Sequence, residues 1–151
     1  MPSIVRPVLF LAGLACATAA LAEQGDHVEV SAPWIRALPG TLPAGGYMTL
    51  ANAGDEPVTL TGVDSPAFGH AMLHRSSVAG GQGRMEHVGE LEIPAHDAVA
   101  LAPGGYHLML MHATSPLRIG STVPLTLHFA DGSTRAVEAT VRPANAQGID
   151  D

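Results

Sequence analysis

The chain reads as an all-β sandwich of about eight or nine antiparallel strands, and three observations predict it. Short runs rich in Val, Leu, Thr and aromatic residues recur at the spacing such sandwiches show. Turn-forming residues stand between the runs. No stretch keeps a helical period long enough to supply the crossover helices that a parallel sheet needs. With 151 residues and 46% apolar composition, the length suits one domain around one core.

The first element is MPSIVRPVLFLAGLACATAALA, residues 1–22. It has Arg6 in a short leading region, an apolar stretch from Val8 to Ala22 and a small-x-small end at Ala20-Leu21-Ala22. This is the pattern of a cleaved secretory signal, with Glu23 as the first mature residue. The apolar stretch is shorter than the ~20 residues a membrane span needs, so the mature form is expected to have no span. Leu14-Ala15-Cys16 fits a lipoprotein signal less well, because Gly13 stands where such signals usually carry Leu. Cleavage after Ala22 removes Cys16, the chain's only cysteine, and leaves no thiolate nucleophile, disulfide or cysteine ligand.

Strands are expected near residues 27–36, 46–52, 57–64, 68–75, 84–92, 97–102, 106–112, 122–129 and 134–141. Between them stand Pro39-Gly40, Asn52-Ala53-Gly54-Asp55, Gly80-Gly81-Gln82-Gly83, Pro103-Gly104-Gly105 and Asp131-Gly132. The clearest hairpin is the last. Val123, Leu125, Leu127 and Phe129 alternate toward Asp131-Gly132, and the chain returns through Val137 and Val141. The domain is expected over residues 23–142, with 143–151 as a polar, disordered tail.

All seven basic residues are Arg, and removing Arg6 leaves six against fourteen acids, a net charge of −8 with His neutral. That charge disfavours nucleic acid and fits a cation or a basic face on another protein.

The chemistry concentrates in one region. Met72, Met85, Met109 and Met111 lie within forty residues of one another, among His70, His74, His87, His96, His107 and His112. In GGYHLMLMH, residues 104–112, strand alternation puts His107, Met109 and Met111 on one face and Leu108, Leu110 and His112 on the other. If the preceding hairpin is symmetric about SSVAGGQG, residues 76–83, His74 stands opposite Met85 and Met72 opposite His87. Opposed residues have Cβ atoms about 4.5–5.5 Å apart, close enough to share one ion.

Two imidazoles and two thioethers, without carboxylate or thiolate, make a neutral, soft set that suits Cu(I) over Zn(II), Mg(II) or Ca(II). A blue-copper electron-transfer centre needs a cysteine that the mature chain lacks. His70, His87, His96, His112, His128 and Met48 read as surface or structural groups, and Met111 as packing under the site. Trp34 and Tyr47 read as core or rim aromatics.

His74, ten residues, Met85, twenty-one residues, His107, one residue and Met109 spell H-x10-M-x21-H-x-M. With APWIRALPGTLPAGGYMTLAN, IPAHDAVALAPGGYHLMLM and GSTVPLTLHFADG, this resembles the PCuAC family of periplasmic copper(I) chaperones over roughly residues 26–142. The resemblance implies a cupredoxin-like, Greek-key sandwich that binds one Cu(I) through His74, Met85, His107 and Met109. It further implies delivery to the dinuclear copper centre of cytochrome c oxidase, directly or through a thiol-bearing assembly factor. Two positions depart from the family pattern. Met72 stands where members often carry Glu, and Gly83 where they often carry a second Met. Met72 is therefore an auxiliary candidate, as an alternate or transfer ligand. The tail has neither His nor Met, so no separate Cu(II) site is expected there. Copper storage or resistance is the alternative role, and a copper-dependent redox enzyme a more distant one, since no acid–base pair stands at recognisable spacing.

Overall fold

A computed structural model describes residues 22–151, which form one short helix and ten strands. The expected signal segment, Cys16 included, lies outside the described residues except for Ala22. The helix α1, Gln24–His27, leads into β1 Val28–Arg36, β2 Ala44–Asn52, β3 Val58–Asp64, β4 Phe68–Ala79 and β5 Gln82–His87. Then follow β6 Leu91–Ile93, β7 Ala98–Leu101, β8 Tyr106–Ala113, β9 Thr122–Phe129 and β10 Thr134–Arg142.

Hydrogen bonding orders the strands β5-β4-β8-β7-β2-β1-β10-β9-β3-β6, and β2 also pairs directly with β8. The ladder folds over on itself to enclose one core. Ile35, Leu50, Leu73, Leu108 and Leu110 from one half meet Leu60, Ile93, Leu125, Leu127 and Phe129 from the other. Apolar side chains are buried between the halves, and in β9 and β10 buried positions alternate with more exposed ones. The β9–β10 hairpin follows its expected pattern, with Val123, Leu125, Leu127 and Phe129 all inward.

Three features differ from the sequence expectation. First, the run expected over 84–92 is two strands. The chain bends at Gly89, leaves the β4 ladder and pairs as β6 with β3, so ten strands form instead of eight or nine. Second, the sandwich is not wholly antiparallel, because β1 runs parallel to β10 and β7 meets β8 in parallel. Third, residues expected as a disordered tail lie against the sandwich. Ala146 is fully buried beside Trp34 and Tyr47, and its carbonyl accepts hydrogen bonds from Arg36 Nε and Nη2 at 2.9 and 2.6 Å. The first of the described residues are also tied to the sandwich. The Gln24 and Gly25 amides donate to Asp131 Oδ2 and Ser133 Oγ at the β9–β10 turn.

Candidate metal centre

The donor atoms sit on the outer face of the sheet half formed by β5, β4, β8 and β2. Period-two alternation decides this. Leu73, Leu108 and Leu110 point into the core, so their neighbours Met72, His74, His107, Met109 and Met111 point away from it. In the β4–β8 ladder His74 pairs with His107, Met72 with Met109 and His70 with Met111. Every residue of that face between 70 and 76 on β4, 83 and 87 on β5, and 107 and 111 on β8 is His, Met, Ser or Gly. Arg75, Arg84 and Glu86 alternate to the other side. The donor face is therefore uncharged while its imidazoles are neutral, and a carboxylate-seeking hard cation finds nothing there.

The hairpin register differs from the expected one. His74 stands opposite His87, and Met85 opposite Ser76, one pair further along on the same face. The physical cause is the turn. Gly80 and Gly81 both take positive φ, 59° and 77°, and close a two-residue connection that extends β4 to Ala79 and starts β5 at Gln82. Such a turn matches the strand twist and fixes the register tightly, where an eight-residue loop would fix it loosely. Met85 is thus diagonal to His74, at about 7–8 Å between such positions, and within reach of its long side chain. Met72 faces Met109 and not His87.

Three imidazoles form a row across β5, β4 and β8. The His74 ring centroid lies 5.8 Å from that of His87 and 5.9 Å from that of His107, both edge-on. Neither His74 Nδ1 nor Nε2 touches solvent or has a hydrogen-bond partner in the protein. Buried polar atoms without partners are costly, so a ligand that engages this ring offsets that cost. Desolvation, then the neighbouring His107 and His87, lowers the His74 pKa from its ordinary value and holds the ring neutral, the form that binds metal. His107 is buried, and its Nδ1 lies 3.1 Å from the Gly105 carbonyl. A carbonyl only accepts, so Nδ1 carries the proton and Nε2 presents its lone pair. Among the described residues no three His, Cys, Asp or Glu groups converge on one point. Any ion here would need the thioethers.

Sequence reasoning discounted His87, which the structure puts beside His74. The signal lay in the Gly80-Gly81 pair, whose two-residue turn sets that register. The remaining residues fall where expected. His70 and His112 are exposed, His96 and His128 pair with Asp55 and Asp64, and Met48 is in the core. Met111 is half-buried beside the site. Trp34 and Tyr47 form a separate cluster on the same outer face, with ring centroids 4.5 Å apart and the Arg36 guanidinium over both.

Comparison with known proteins places the chain. The family profile described as "Putative lipoprotein LpqE-like" matches residues 28–141. Over 121 residues the chain is 35% identical to "Putative lipoprotein Lxx21020" of Leifsonia xyli subsp. xyli, covering 80% of this chain and 72% of that one. Its fold is similar to the solution structure of CuI-DR1885 from Deinococcus radiodurans, with a TM-score of 0.66, 35% identity and 87% of each chain covered. It is also similar to the copper-bound PCuAC domain from PmoF2, with a TM-score of 0.65 and 27% identity over 78% of this chain and 93% of that one.

Proposed function

The chain belongs to the LpqE-like family, and from that premise we propose that it is an extracytoplasmic copper(I) carrier. His74, Met85, His107 and Met109 hold the ion, and Met72 assists. One observation carries this reading: the His74 ring has both nitrogens buried without a partner, on an uncharged face flanked by two imidazoles and several thioethers. A soft monovalent cation satisfies such a ring without bringing a large charge into a desolvated spot. The likeness to PCuAC domains with copper bound supports the same ion.

The site suits carrying over catalysis. It lies on an outer face, its Met85 is 54% exposed, and β5 is a sheet edge, so an acceptor can reach the ion and replace its ligands one at a time. The recipient in this proposal is the dinuclear copper centre of cytochrome c oxidase, directly or through a thiol-bearing assembly factor. Anaerobic mixing of Cu(I)-loaded protein with the copper-accepting oxidase subunit or such a factor, followed by separation and metal analysis, tests this. Copper is expected to leave with the recipient. Copper retained in the presence of both favours storage.

We further propose that the mature chain starts at Glu23 and occupies the periplasm. The lipoprotein names of the relatives make Cys16 the competing start. The intact mass of protein recovered from its native compartment separates the two, because a Cys16 start adds seven residues and acyl chains.

A further inference from the structure

His87 lies outside the four-residue signature, yet it ends β5 directly opposite His74. His74 is the middle of three imidazoles in a row, with His107 on its β8 side and His87 on its β5 side at nearly equal distances. Among the described residues it is the one histidine with both ring nitrogens buried and unpartnered. An imidazole engages one ion through one nitrogen at a time, so a single fixed ion leaves half of that capacity unused.

The two flanks differ in access. On the β8 side stand buried His107, with Met109 and Met72 paired across the ladder. On the β5 side stand His87 and Met85, on a strand exposed along its whole length. Each flank offers one imidazole and at least one thioether. The outer one lies on the edge strand, where no further strand covers it.

We infer that His87 and Met85 form an outer exchange position for the ion, with His74 as a pivot shared with the inner donors His107 and Met109. The inference rests on the copper(I) reading above. Met85 belongs to both arrangements, and His87 replaces His107 and Met109 as the ion moves outward. The ion stays Cu(I) throughout, and only ligands exchange. An acceptor thiolate approaching the β5 edge meets an ion held by exposed donors, which dissociate more readily than buried ones.

The test follows histidine ring nitrogens by 15N NMR during anaerobic Cu(I) titration of the full domain, and then measures release to a dithiol chelator. Wild type should take up one ion with shifts at His87 as well as His74 and His107. H87Q should still take up one ion but release it about tenfold more slowly, the scale at which groups around a metal site act. H87M, which restores a soft donor, should recover the rate. His87 ring resonances that stay unmoved in a loaded site, or an H87Q release rate equal to wild type, would overturn the inference alone. No Cu(I) uptake by wild type would overturn the copper reading beneath it.

Discussion

The His74 ring stands 5.9 Å from the His107 ring across a directly paired row of β4 and β8, with no charged side chain on that face of the two strands near it. Because burial and the flanking His107 and His87 lower the His74 pKa, its stability effect has a defined sign. In the unfolded chain His74 takes up a proton near its ordinary value of 6.5, whereas in the fold it resists until lower pH. Between those two values the unfolded state binds more protons. Stability is therefore full above 6.5 and falls as pH drops through that window. The apo protein should lose more thermal stability on acidification than H74Q does, measured by calorimetry at about pH 7.5 and 5. Equal losses would contradict it.

Protons also compete with the ion for imidazole. Cu(I) affinity should decline on acidification between about pH 7.5 and 5. Chelator competition that returns a flat affinity over that range would rule out histidine ligation.

Met85 separates binding from folding, because it is 54% exposed on an edge strand. Met85→Ala should change stability by no more than about 0.5 kcal/mol. Its Cu(I) affinity should still fall by at least about tenfold, or roughly 1.4 kcal/mol. Denaturant melts and chelator titrations on one preparation check both.

Much of the fold was legible in residues 122–142, where strict alternation about Asp131-Gly132 left one reading of faces and pairing. The faces of β8 were legible for the same reason. The His74–Met85 register was not, because SSVAGGQG reads equally as a loop and as two strand ends around a diglycine turn. That ambiguity of one pair is why His87 stands opposite His74 and Met85 on a diagonal to it. The tail was illegible for a different reason. Its anchoring depends on the Arg36 guanidinium meeting the Ala146 carbonyl, a contact between residues 110 apart that no local pattern records.

The site's footing is the core beneath it. Leu108 lies between His107 and Met109, is fully buried and packs with the central cluster. Leu108→Ala should cost about 2–5 kcal/mol by the cavity it leaves, read from equilibrium unfolding.

Gly45 tests the seam between the site and the aromatic cluster. It pairs with Met109, and a β carbon there would lie 2.5 Å from Tyr47 Oη. Tyr47 is buried under Trp34 and the tail, so the ring has little room to yield. Gly45→Ala should destabilise by about 1–3 kcal/mol through overpacking. A neutral effect on melting would mean that Tyr47 moves freely.

The central claim is that one Cu(I) is held by both imidazole and thioether donors from β4, β5 and β8. X-ray absorption on protein loaded with one equivalent of Cu(I) reads the donor set directly. A mixed nitrogen and sulfur shell is predicted, losing sulfur in Met85→Ala and Met109→Ala and nitrogen in His74→Ala and His107→Ala. A shell without sulfur, or one unchanged by all four substitutions, would contradict the account.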